Sequence, residues 1–417
     1  MSGQNRVSDW YSGRLVSTTA QLVLIALAAV LAPILADLSG RLAVPSVVIE
    51  LVFGILLGPT VFGWVHSTGI VDALANFGLA YLMFLAGFEL ELPRFRGRPI
   101  ELATASWAGS LILAGVAGLV LVISGHRHGD IIIGLALCTT ALSTLLPILQ
   151  DAGILPTEFG RHALAIGSVG ELGPIILVSI VLSGRNPGTS GLLLLIFLAL
   201  AAGAAYAASR EWHQRITDLM RRGLHASSQL PVRVCLLLII SFALLSTDLK
   251  LDLLLGTFGA GMIVRIAIGG KEEDDDVVIF RSKLEAVGFG FLVPIFFVVS
   301  GVRLGFSSFG SHPGDLLLIP LFFGLLLVIR GLPVLLVYRT TLARTQRLSL
   351  SLMAATGLPL IVVITTIGIA DGYISEETGA ALVAAGMLTV LLLPNLALRL
   401  LKTTPDRHIE AVPATVG

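Results

Sequence analysis

The sequence predicts an all-α polytopic membrane protein of about thirteen transmembrane helices. They form inverted repeats, with spans 5 and 12 as two discontinuous crossing helices. Three observations predict this. Of 417 residues, 55% are hydrophobic and only 13% are charged, roughly half the charge of an average soluble domain. The apolar residues fall into runs of about 20, the length that crosses a hydrocarbon core about 30 Å thick. Two of those runs are interrupted at mid-depth by glycine, proline and hydroxyl side chains.

The runs begin near Thr18, Pro45, Ile70, Ile100, Ile131, Gly160, Gly188, Leu230, Leu251, Leu284, Asp315, Leu348 and Glu377. The residues before Thr18 are polar and the first run has no small-residue cleavage pattern, so it reads as a retained span. An odd number of spans puts the termini on opposite sides. Of the 27 Lys and Arg residues, those at 41, 94–98, 161, 210–233, 265–283, 339–347 and 399–407 fall on one side. Only Arg6, Arg14, Arg127, Arg185, Lys250 and Arg303 fall on the other. By the positive-inside rule the N-terminus lies outside and the C-terminus in the cytoplasm of a cell (plasma or inner) membrane.

The formal net charge is zero, which gives no reason to expect nucleic acid as a partner. Cys138 and Cys235 lie in apolar runs without metal-ligand spacing. All eight histidines lie in loops or at span ends, so no nucleophile or metal constellation sits at membrane depth, and an enzyme is not expected. No cofactor is expected either. The acidic run at 271–276 reads as a solvated loop, and the basic segment 210–222 with Trp212 as a stretch on the anionic inner leaflet.

Two charges lie deep. Glu171 stands mid-way along the sixth span, Gly160 to Ser183, and Arg330 lies well inside LFFGLLLVIRGLPVLLVY. An ionisable group at the bilayer centre costs at least about 2.5 kcal/mol on insertion scales, so such residues have a role or a partner. Two readings fit: a structural ion pair pinning two helices, or a titratable Glu171 that binds a proton and a cation by turns. Glu50, one or two turns into the second span, is an intermediate case. Glu89 and Glu91 close the third span beside Arg94 and Arg96 as an interfacial cluster.

The interrupted spans point the same way. The fifth carries Thr139, Thr140, Ser143, Thr144 and Pro147; the twelfth carries Thr356, Gly357, Pro359, Thr365 and Thr366. Non-helical backbone at this depth is tolerated only where protein or a water-filled cavity satisfies it. Paired interruptions in two halves mark a transporter site. The offset of seven spans is odd, so the two broken helices run in opposite directions.

Several segments also resemble the monovalent cation:proton antiporters of the Kef and NapA-like branch, in the sodium/hydrogen exchanger superfamily. VPSVVIELVFGILLGPTVFG (44–63) is similar to their second span and FGLAYLMFLAGFELEL (77–92) to their third. The stretch from Thr139 to AGILPTEFGR (152–161) resembles their unwound helix and the loop after it, and VPIFFVVSGVRL (293–304), ending on Arg303, their FF-to-basic motif. The resemblance places the family's cation-binding acid on Glu171, where Asp is usual, and its buried basic residue on Arg330, commonly Lys. The position before the acid, usually Asp, Asn or Gln, is Gly170.

The expectation is exchange of Na⁺ or K⁺ for H⁺, probed at Glu171 with Thr139, Thr140, Ser143 and Ser168 as oxygen ligands and Arg330 as compensating charge. With one central carboxylate the exchange is expected to be electroneutral. Glu50, Arg303 and Thr144 are secondary candidates, and no metal is expected beyond the transported ion. The domains follow: a tail (1–17), scaffold parts at 18–99 and 229–310, core parts at 100–184 and 315–400, a linker helix and basic loop at 188–228, and a tail at 401–417. That last tail leaves no room for an attached nucleotide-binding domain. The resemblance implies a homodimer formed through the scaffold. The alternatives are a sodium-coupled carrier of an organic anion, or a cation channel, on the same inverted-repeat fold.

Overall fold

The structure is a computed structural model that describes residues 16–39, 44–89, 97–123, 130–182, 203, 228–248, 253–268, 275–304 and 316–402. The expected seventh span, most of the 188–228 segment and both tails lie outside the described residues. Everything regular among the described residues is helical. Eight helical stretches are long and apolar enough to cross a membrane, and three shorter apolar helices accompany them. One of the eight, Arg344–Ala370, is broken between Ala354 and Pro359. This is a multi-pass membrane protein.

In chain order the helices are α1 (Thr18–Leu38), α2 (Ser46–Leu57), α3 (Gly69–Glu89), α4 (Arg98–Ile123), α5 (Asp130–Leu137), α6 (Leu142–Asp151) and α7 (Glu158–Leu182). Then come α8 (Leu230–Asp248), α9 (Leu253–Ile268), α10 (Asp275–Arg303) and α11 (Leu318–Thr340). α12 (Arg344–Ala354), α13 (Pro359–Ala370) and α14 (Glu376–Lys402) complete the described bundle. Their outer faces reverse the pattern of a soluble protein. Val23, Leu27, Val30 and Ile34 of α1, Ile112 and Val116 of α4, and Leu237 and Leu244 of α8 are exposed. Where hydrocarbon is the solvent, such faces carry no penalty.

Hydrophobic pull therefore cannot hold these helices together, and close packing must. α3 and α9 show how. A Cβ on Gly87 would land on the carbonyl oxygen of Phe258, and one on Gly261 on that of Phe84. The two backbones touch only because both positions are glycine.

One helix start differs from the expectation. The tenth apolar run was expected from Leu284, but α10 begins at Asp275. Its first turns are amphipathic: Val277, Phe280 and Leu284 are buried at helical spacing while Arg281 and Lys283 interrupt the apolar run. Asp275 and Asp276, expected in a solvated loop, are the acidic residues of that first turn, where the helix dipole favours them.

α10 and α11 each contain a π-helical turn, at Gly288–Leu292 and Leu327–Gly331. Both stand just before a proline, Pro294 and Pro333. A proline ring meets the carbonyl four residues back, and a widened turn relieves that clash. The second turn carries Arg330.

Candidate functional site

Two helix interruptions meet in the middle of the bundle. α5 stops at Leu137 and α6 starts at Leu142, leaving Cys138 to Ala141 as a linker. α12 stops at Ala354 and α13 starts at Pro359. The second break follows from local chemistry: Pro359 cannot donate to a continuing helix and disfavours α geometry at Leu358, but it suits the first position of a new helix.

Each linker satisfies backbone groups of the other. Ala141 N–H donates to the Thr356 carbonyl at 2.9 Å, and Thr140 N–H donates to the Gly170 carbonyl of α7, also at 2.9 Å. The Thr140 hydroxyl donates to the Ala354 carbonyl, the last of α12, at 2.6 Å. Trp107 Nε1 donates to the Cys138 carbonyl at 3.2 Å, and Gly357 N–H to Thr389 Oγ1 at 3.3 Å. Unwound backbone at this depth is thus paired with protein.

Arg330 is 1% exposed. Its Nε donates to Thr140 Oγ1 at 3.0 Å, its Nη2 donates to the same oxygen, and its Nη1 donates to Ser110 Oγ at 3.1 Å. Among the described residues it forms no ion pair with Glu171, so the structural ion-pair reading is not what the structure shows. The guanidinium instead stands where Thr140 joins the carbonyl end of α12, three residues past the end of α5. Positive charge is favoured beside the negative ends of helices.

Glu171 is 9% exposed. The backbone N–H of Leu142, the first residue of α6, lies near its carboxylate. Its charge is set against the positive end of a helix. Ser168 lies three residues earlier on α7 and is half-buried, on the same helical face. Thr139 is buried in the linker with its hydroxyl donating to the Ala136 carbonyl at 2.8 Å. Thr144 is half-buried on α6; the side chain of Ser143 lies outside the described ones.

Two expected residues lie elsewhere. Arg303 ends α10 and donates through Nε to Ser67 Oγ at 2.8 Å and through Nη2 to the carboxylate of Asp72 on α3. Glu50 is 3% exposed on α2, which packs on α10 and α1, and its Oε2 has no hydrogen-bond partner among the described residues. Glu89 goes the other way. Read as an interfacial residue, it ends α3 within Coulombic reach of Glu171, with Arg281 and Glu285 of α10 as its own charged neighbours. Only tertiary packing reveals this; α3 meets α9, and α9 packs against α7.

The Thr140 hydroxyl is fully occupied in this arrangement. A hydroxyl has one hydrogen and two lone pairs, and here it donates once and accepts twice.

A family model described as sodium/hydrogen exchanger, transmembrane, matches residues 26–402. The Na(+)/H(+)-K(+) antiporter GerN of Bacillus cereus is 30% identical over 297 residues, 70% of this chain and 73% of GerN. YjbQ of Bacillus subtilis is 28% identical over 397 residues, 91% of this chain. The chain spans 62% of YjbQ's length. Among solved structures, the sodium proton antiporter MjNhaP1 from Methanocaldococcus jannaschii matches with a TM-score of 0.62 at 18% identity, over 92% of this chain and 96% of that one. The fold is therefore shared, and the chain belongs to the sodium/hydrogen exchanger family.

Proposed function

We propose that this protein exchanges a monovalent cation, Na⁺ or K⁺, for H⁺ across the membrane, with Glu171 as the group the two share. The observation that carries the reading is the position of Glu171. It is a buried carboxylate, placed at the start of a half-helix beside the meeting of two broken helices. A site of this kind can be neutral with either ion bound and is charged only when empty. The relatives named as Na(+)/H(+) antiporters support the same reading.

In this reading Glu171, Ser168, Thr139 and the carbonyls of the linker hold the partly dehydrated ion. Thr140 and Arg330 hold the linker. The full count of thirteen spans, the crossing of the two broken helices and their inverted repeat belong to the proposal. So do the core (100–184, 315–400), the scaffold (18–99, 229–310) that it moves against, a homodimer through that scaffold, and the outward N-terminus. Arg330 keeps its proton at any accessible pH, so one carboxylate does the exchanging and the cycle is one-for-one. Proteoliposomes carrying a pH-sensitive dye test this. A Na⁺ or K⁺ gradient should drive proton flux without net current, and a cation-driven current would reject electroneutrality.

A further inference from the structure

Gly170 immediately precedes Glu171, and its surroundings leave no room for a side chain. A Cβ there would lie 2.5 Å from Nη2 of Arg330 and 2.7 Å from both Cβ and Oγ1 of Thr140. Real Cβ atoms essentially never approach closer than 3.0 Å. The two obstructions are linked. The end of a long side chain can usually swing away, but this guanidinium is held by Ser110 and by two bonds to Thr140. Thr140 in turn is bound to Gly170 through its own N–H and to Ala354 through its hydroxyl.

We propose that Gly170 and Arg330 are a matched pair: the guanidinium fills the volume of the absent side chain at 170 and holds Thr140 against α7. Arg330 is then a positioning residue for Glu171. Thr140 N–H bonds the carbonyl of Gly170, the residue before Glu171, and only Ala141 stands between Thr140 and Leu142, the start of α6. Fixing Thr140 therefore fixes the start of α6 against the turn of α7 that carries Glu171. The pairing also makes the two positions interdependent. A side chain at 170 is tolerated only if the group at 330 gives way and lets Thr140 relax. A lysine at 330 has one slender nitrogen, cannot hold Thr140 and Ser110 at once in the forked geometry of arginine, and provides that slack.

The inference rests on the antiport reading only in its transport readout. The test is a double-mutant cycle with Gly170→Ala, Arg330→Lys and the double variant, read as melting temperature in detergent and as apparent KM for Na⁺ or K⁺ at fixed pH in proteoliposomes. Gly170→Ala alone should lower the melting temperature and raise KM about tenfold; with Lys at 330 the same alanine should change KM less than about threefold, a coupling of ordinary size for touching residues. A merely structural defect would reduce the amount of active protein and the maximal rate but leave KM in place. The pairing is overturned if alanine at 170 has the same effect in both backgrounds, including failure to accumulate in both. If the wild type shows no cation-dependent proton flux, the antiport reading fails, while the melting-temperature cycle still decides the pairing.

Discussion

The carboxylate of Glu171, on α7, lies near the backbone N–H of Leu142, the residue that opens α6 after the break. A buried acid thus stands beside the place in the fifth span where the helix is interrupted. Any movement of the linker moves the donor that faces the acid, and any change of charge on the acid is felt at the helix end. The first consequence concerns pH. In the proposed exchange cation and proton compete for one carboxylate, so the apparent KM for the cation should rise as pH falls. In the range where the carboxyl is mostly protonated, the rise should approach about tenfold per pH unit, by mass action. Initial rates in proteoliposomes at graded pH and cation concentration measure it. A KM that does not vary with pH would mean that the two ions do not share a group.

Thr140 bonds Arg330 twice, and removing its hydroxyl strands a buried guanidinium. Thr140→Val should destabilise the protein by about 2–3 kcal/mol, the range for a buried charged group that loses a partner. Thr140→Ser keeps the oxygen and should stay within about 1 kcal/mol of wild type. Thermal unfolding in detergent compares them. Equal losses in the two variants would show that the methyl group matters and the hydroxyl does not.

Arg303 was a candidate for the site on the sequence, but it is bonded to Ser67 and Asp72. Its side chain is 20% exposed and that of Asp72 is 42% exposed, so water and salt screen the pair. Arg303→Gln should cost about 1 kcal/mol or less, with the cation KM unchanged. A KM raised several-fold would place Arg303 on the ion's path.

The apolar runs, the two breaks and the depth of Glu171 and Arg330 were legible because hydropathy and helix breakers are local properties of the chain. Partners were not. Arg330 and Thr140 are 190 residues apart, and Arg330 and Ser110 are 220 apart. One sequence carries no record of which buried donor meets which acceptor. The same blindness hid the Asp72 partner of Arg303, 231 residues away, and the approach of Glu89 to Glu171. It also hid that the Thr140 hydroxyl, in an unwound linker, bonds both Arg330 and the Ala354 carbonyl. The start of α10 was missed for a different reason. Its first turns bury an amphipathic face, which a search for unbroken apolar runs passes over.

The central claim is that proton and cation share Glu171. The most direct measurement is cation-driven dye dequenching in proteoliposomes, comparing wild type with Glu171→Gln at matched protein density. Glutamine keeps the size and the polarity but can neither take up a proton nor offset a cation. Wild type should exchange Na⁺ or K⁺ for protons, and Glu171→Gln should fold, insert and show no exchange above protein-free liposomes. Proton-coupled cation flux at the wild-type rate in Glu171→Gln would contradict the account.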